Sequence, residues 1–213
     1  MKISILGSGM VGQTIAQKLA QIGQDVMIGT RSPQKLAEFA AQNPGVKIGS
    51  FSESAAYGEL VFNASKGDVS LELLQSVGEA NLNGKILVDI ANPLDFSHGM
   101  PPSLFVGNTD SLGEQIQRAL PGVKVVKAFN TLSAPLMVDP GALAGGDHTL
   151  FICGNDAEAK AHLTALLGEW FGWRDVLDVG DITAARATEA LLPLWVRLFM
   201  KFGTGNIQFK IVR

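Results

Sequence analysis

The chain predicts an α/β fold: a doubly wound, mostly parallel sheet with a C-terminal helical extension. Three observations carry that expectation. Short β-prone apolar runs alternate with stretches whose apolar residues recur at helical spacing, the pattern of βαβ units with right-handed crossovers. The glycine turn Gly7-Ser8-Gly9-Met10-Val11-Gly12 joins the first such run to the first helical stretch. Later runs end in small or polar residues, at Asn63-Ala64-Ser65 and Ala91-Asn92-Pro93, where open α/β sheets gather their ligand loops.

In order, Lys2 to Leu6 reads as a strand, Thr14 to Ile22 as a helix stopped by Gly23, and Asp25 to Gly29 as a second strand. Pro33 to Gln42 reads as a helix, with Ser32 as its cap and Pro33 at the first helical position, and Asn43-Pro44-Gly45 ends it. Val46 to Ile48 is a third strand, Ser52 to Tyr57 a short helix capped by Ser52, and Glu59 to Ala64 a fourth strand. A helix from Val69 to Gly78 and a fifth strand from Ile86 to Ile90 follow.

Asp95 to Thr109 is loop-like, centred on His98-Gly99-Met100-Pro101-Pro102, a length that suits a lid or a functional surface. Ser111 to Leu120 is a helix, and Val123 to Lys127 a sixth strand leading into Ala128-Phe129-Asn130-Thr131. Leu150 to Cys153 and Asp175 to Val179 are strands around a helix from Ala157 to Trp170. Ile182 to Phe202 predicts one long helix. Leu191, Leu194, Trp195, Leu198 and Phe202 fall near one stripe of it, which suits packing on the sheet, an acceptor pocket wall or a dimer surface. Asn206 to Val212 alternates like an edge strand. The expected organisation is a Rossmann-type domain over residues 1–180, with 181–213 packed on it as one unit.

The glycine turn points to a dinucleotide. The first glycine permits the bend, the second lets backbone approach a pyrophosphate, and the third lets helix and strand pack closely, while free N–H groups at the helix start attract phosphate. Gly7, Gly9 and Gly12 fit those roles, with Ser8, Met10 and Val11 between them. An NAD site usually ends its second strand with an acid for the ribose 2′-hydroxyl, about 20 residues past the glycines. This chain has Thr30-Arg31-Ser32 there, and Lys35 one helical turn on. The missing acid, the guanidinium fork and the nearby hydroxyls favour the 2′-phosphate of NADP(H). Asn63, Ala64, Ser65, Ala91, Asn92 and Pro93 should face the cofactor, although Asn63 and Asn92 could equally be turn-forming residues.

Composition narrows the remaining classes. Over 213 residues the chain is 46% hydrophobic and 17% charged with a net charge of −3, which leaves no basic surface for nucleic acid. Three histidines and one cysteine supply no metal-ligand spacing, and Cys153 sits in an apolar run as a small buried hydrophobe. No signal-peptide core opens the chain, and Ala190 to Phe202 is too short and too interrupted to span a bilayer, so the reading is cytoplasmic, without membrane insertion.

With those residues in view, the chain resembles the NADPH-dependent reductases of the deazaflavin coenzyme F420. It is also similar to the soluble NADPH-binding domain of six-transmembrane ferric reductases. The resemblance rests on the glycine turn, Thr30-Arg31-Ser32 with Lys35, Asp89-Ile90-Ala91-Asn92-Pro93, Val125 to Thr131, and the closing Gly180-Asp181-Ile182, Ala185-Arg186 and Glu189. It implies a nicotinamide held near Ala64, Ala91-Asn92 and Ala128-Phe129-Asn130-Thr131, with coenzyme F420, FMN or FAD as the second substrate and a homodimer as the assembly. No catalytic side chain is expected, because hydride transfer between nicotinamide and a flavin-like ring is chemistry the cofactors carry. The fourth-strand loop Asn63-Ala64-Ser65-Lys66-Gly67 departs from relatives that have a proline and an aromatic there, which leaves the acceptor open. The alternatives are a non-catalytic NADP(H)-binding redox sensor or electron-transfer subunit, and a β-hydroxyacid or imine reductase, which usually needs a further helical domain.

Overall fold

The computed structural model describes residues Met1–Arg213. The elements of its first half are β1 (Lys2–Leu6), α1 (Met10–Gln21), β2 (Asp25–Gly29), α2 (Ala37–Gln42), β3 (Val46–Gly49), α3 (Phe51–Tyr57), β4 (Leu60–Asn63), α4 (Gly67–Ser76), α5 (Glu79–Leu82) and β5 (Ile86–Asp89). A small hairpin of β6 (Leu94–Asp95) and β7 (Ser103–Leu104) comes next, then α6 (Leu112–Ala119), β8 (Lys124–Ala128), α7 (Ala134–Val138), β9 (Leu150–Gly154), α8 (Ala157–Phe171) and β10 (Val176–Asp178). The chain closes with α9 (Ala185–Ala190) and α10 (Leu192–Phe202).

Eight strands form one sheet in the order β10-β9-β8-β5-β4-β1-β2-β3. The six from β3 to β8 run parallel, so each is reached by a crossover, and their side chains alternate between two apolar layers. Phe62, Val88 and Val126 face one layer with Ile15, Leu19 and Leu163. Val61, Leu87 and Val125 face the other with Leu74 and Ile116. This period of two is why neighbouring apolar residues of a strand buried on both sides are all needed. Strand order turns outward in both directions from β1, so the switch lies between β1 and β4, where such sheets open a crevice at the carboxyl ends. β9 runs antiparallel to β8, with β10 parallel to β9, which makes the sheet mostly parallel.

Several local expectations are corrected. α1 starts at Met10, not Thr14, because Gly9 serves as its N-cap inside the glycine turn. The cap of α3 is Ser50, not Ser52: its hydroxyl accepts from the Glu53 N–H while the Glu53 carboxylate accepts from the Ser50 N–H, a capping box. Ser32 does precede a helical turn led by Pro33, yet its hydroxyl makes no cap bond, and that turn is a 3-10 segment, Pro33–Leu36, ahead of α2. The Asp95–Thr109 stretch contains β6 and β7, with His98 exposed in their connection.

The long helix from Ile182 is in fact a 3-10 turn, α9 and α10, broken at Leu191 just before Pro193, whose ring cannot continue a helical ladder. Packing of the whole stripe on the sheet is not observed either: Leu192 and Val196 are buried, while Leu194 and Phe202 are half exposed. The tail forms no strand; it lies along Thr149, whose N–H donates to the Phe209 carbonyl at 2.9 Å and whose hydroxyl accepts from the Ile211 N–H at 3.0 Å. No helix is long and apolar enough to cross a membrane.

Candidate functional site

At the carboxyl ends of β1 and β4 the backbone packs so closely that only glycine fits. A Cβ on Gly7 would lie 2.4 Å from the Ala64 carbonyl oxygen, and one on Gly12 would lie 2.0 Å from the Gly7 carbonyl oxygen. Gly7 also has φ +133°, a conformation closed to other residues at ordinary cost. A Cβ on Gly9 would meet nothing within 4 Å, so this is where the turn opens to solvent. Neither a side-chain cap nor an acid occupies the start of α1. Its leading N–H groups and the positive end of its dipole are therefore available to an anion.

At the end of β2, Thr30 is buried and its hydroxyl pairs with Ser8 Oγ at 3.0 Å and accepts from the Ser32 N–H at 3.2 Å. It braces the turn and the second loop against each other. Arg31 and Lys35 are exposed and take part in none of the ion pairs of the molecule. An open helix start, two unpaired cations and an uncommitted Ser32 hydroxyl fit the phosphates of NADP(H) in both charge and donor type.

Beside the turn lies a cavity of about 280 Å³. Of the residues expected to contact cofactor, Val11, Ala64, Ser65, Ala91 and Asn92 line it; Lys66 and Gly67 of the same fourth-strand loop and Ile90 beside Ala91 join them, and Asp68, Leu94 and Phe96, not singled out in the sequence, complete it. Other expected residues lie beneath the wall. Asn63 is fully buried: its amide nitrogen donates to Ser70 Oγ at 2.5 Å and Asp89 Oδ1 at 2.8 Å, and its oxygen accepts from Ser65 Oγ at 2.7 Å. Pro93 is buried too. Ala128, Phe129, Asn130 and Thr131 are buried under the loop. Phe129 turns into the core, its ring 6.2 Å from Phe171 and 6.3 Å from Trp173, while its φ of +64° reverses the chain after β8. That reversal aims Asn130 at Asn92: Asn130 Nδ2 donates to Asn92 Oδ1 at 3.0 Å and to the Thr188 carbonyl at 3.0 Å, and Asn92 Nδ2 donates to the Asn130 carbonyl at 2.8 Å.

Below this lies a charge cluster that pattern reading missed. Lys127 Nζ is 2.8 Å from Asp89 Oδ2 and 2.8 Å from Glu189 Oε1, with all three side chains at most 2% exposed. Glu189 in turn accepts from the N–H groups of Leu112 at 2.9 Å and Gly113 at 3.0 Å, at the start of α6. Burial pushes the Lys127 pKa down, but the two carboxylates outweigh it and the net shift is upward, so the ammonium stays charged. A lysine inside a β-strand flanked by Val125, Val126 and Ala128 was the available signal, since an unpaired buried charge is not tolerated. Cys153 is buried as expected, which raises its thiol pKa to about 12.

Residues 2–93 match the family model "NADP oxidoreductase coenzyme F420-dependent". A crystal structure from Arthrobacter sp. FB24, named provisionally as an F420-dependent NADP reductase, is 55% identical, covers 100% of both chains and superposes with a TM-score of 0.96. The chain belongs to the coenzyme F420-dependent NADP oxidoreductase family. It is an oxidoreductase by that membership. The F420-dependent NADP reductase of Methanothermobacter marburgensis is 29% identical across 99% of this chain and 98% of its own. Metalloreductase STEAP3 of Rattus norvegicus is 32% identical over 200 residues, which are 91% of this chain but 38% of that protein. The chain thus spans well under half the length of that metalloreductase.

Proposed function

We propose that the protein transfers a hydride between NADP(H), held in this cleft, and coenzyme F420. The observation that carries the reading is the pairing of an uncapped helix start at Gly9 with unpaired Arg31 and Lys35, next to a cavity walled by Ala64, Ser65, Ala91 and Asn92. When bound, the nicotinamide supplies the hydride at ring carbon C4 and the deazaflavin receives it; the chain supplies binding, orientation and exclusion of water. The start of α1 would bind the pyrophosphate, Arg31, Ser32 and Lys35 the 2′-phosphate, and the small Ala64 and Ala91 the nicotinamide ribose side. Phe96, 56% exposed on the hairpin at the cavity mouth, offers a flat apolar surface for the acceptor ring.

The test is an NADPH oxidation screen with F420, FMN, FAD and ferric chelates. Turnover with F420 is expected; turnover with flavins or chelates alone would reassign the acceptor, and no NADPH binding would remove the proposal. Exposed Leu194, Phe199, Met200 and Phe202 on α10 support a homodimer, checked by light scattering of wild type and F199E/F202E. The bonds of Glu189 and Asn130 support 181–213 packing as one unit with the sheet. A cytoplasmic location, where NADPH is supplied, belongs to the same proposal and is checked by cell fractionation.

A further inference from the structure

The ammonium of Lys127 has three N–H bonds, and three acceptors surround it: Asp89 Oδ2, Glu189 Oε1 and, at 2.5 Å, the backbone carbonyl of Ala91. A lysine whose task was to neutralise carboxylates would need the first two. The third acceptor belongs to the cavity wall. The Ala91 N–H is also turned inward, donating to Asp89 Oδ1 at 3.2 Å. Both peptide groups of Ala91 are thus fixed from below, by a cation and an anion that hold each other.

The next residue is fixed from the other sides. A Cβ on Gly67 would lie 1.9 Å from the Asn92 carbonyl oxygen, so that carbonyl rests directly on the start of α4, and it accepts from the Leu94 N–H at 2.9 Å. The Asn92 side chain is paired with Asn130. What the loop retains for a ligand is the N–H of Asn92, which donates to no group of the chain.

We propose that Lys127 is a positioning residue for the nicotinamide half of NADP(H): by holding the Ala91 carbonyl inward it leaves the Asn92 N–H presented to that half. This rests on the NADP(H) reading of the cleft. Because the phosphate-binding end around Gly9 and Arg31 shares none of these bonds, the effect is confined to one half of the dinucleotide. Glu189, which touches Lys127 and α6 but not the loop, serves as the comparison.

The test is calorimetric binding of NADP⁺ and of 2′-phospho-ADP-ribose, which lacks the nicotinamide, to wild type, Lys127→Met and Glu189→Gln. K127M is expected to weaken NADP⁺ tenfold or more while 2′-phospho-ADP-ribose stays within about twofold, and E189Q to show no such contrast. Equal loss of both ligands in K127M, or the same contrast in E189Q, would reduce Lys127 to a structural role and overturn the inference. Wild type binding neither ligand would instead remove the NADP(H) reading on which it stands. On the wild-type chain, amide hydrogen exchange at Asn92 should slow with NADP⁺ and not with 2′-phospho-ADP-ribose; no difference would overturn the inference even if K127M does not fold.

Discussion

The two sides of the cleft place their polar groups differently. Around β1 and β2 the donors face outward: the start of α1 is uncapped, and Arg31 and Lys35 have no carboxylate partner. Around β5 and β8 they face one another: Asp89, Lys127, Glu189, Asn63 and Asn130 are buried and bonded within the chain. A polar group without a partner is tolerated at the surface, where water or a ligand can satisfy it, and is costly inside. The first side is therefore built to receive charge from a ligand, and the second to hold a wall still while a ligand is received.

This contrast predicts opposite responses to mutation. On the buried side, Glu189→Ala leaves the Lys127 ammonium one carboxylate short and strips two α6 N–H groups of their acceptor. It should cost about 3–5 kcal/mol, seen as a lower urea midpoint. A cost under about 1 kcal/mol would mean that the cluster is not the closed unit described. On the open side, Arg31→Ala should change stability by less than about 0.5 kcal/mol while weakening NADPH by roughly 10- to 100-fold, the worth of charge-assisted bonds, with NADH little affected. Titration of both dinucleotides by fluorescence checks it.

The Ser50 capping box follows Gly49, whose carbonyl accepts from the Thr30 N–H at 3.0 Å, and it sets the scale between the two sides: Ser50→Ala should cost about 1 kcal/mol, read by thermal melt.

The smallest effect concerns pH. The Arg186 guanidinium and then the Ser111 hydroxyl hold the Glu114 carboxyl below its ordinary range against the opposing effect of burial. A carboxyl whose pKa is depressed by folding adds stability above its unfolded value, and that stability is lost as pH falls through the folded one. Stability should thus stay level near neutrality and decline below about pH 4, more shallowly in Arg186→Ala. Because Arg186 is 39% exposed, water screens the pair and the difference should be the smallest of these effects in urea titrations across that range.

How much of this was legible in the sequence follows from the same contrast. The open side was legible because its signals are local: a glycine turn between an apolar run and a helix, and Thr30-Arg31-Ser32 with no acid. The mostly parallel sheet follows from alternation, and the ends of most elements fall within a residue or two, but the antiparallel pairing of β9 with β8 has no signal in the pattern. What escaped is long-range. Glu189 meets Lys127 only once α9 has folded back onto β8, and Asn63 meets Asp89 only across neighbouring strands. Asn130 and Phe129 sit at a strand end that suggests ligand contact, but a positive φ turns one toward Asn92 and the other into the core. The apolar period of the C-terminal stretch continues through the break that Pro193 imposes, so the pattern suggests one helix where the chain forms α9 and α10.

Direct hydride transfer from NADPH to F420 in this cleft leaves an isotopic trace. With NADPH deuterated at nicotinamide C4 on the transferred face, one deuterium is expected in the reduced deazaflavin for each NADPH oxidised. Oxidation without deuterium in the deazaflavin, or no oxidation in the presence of F420, would contradict it.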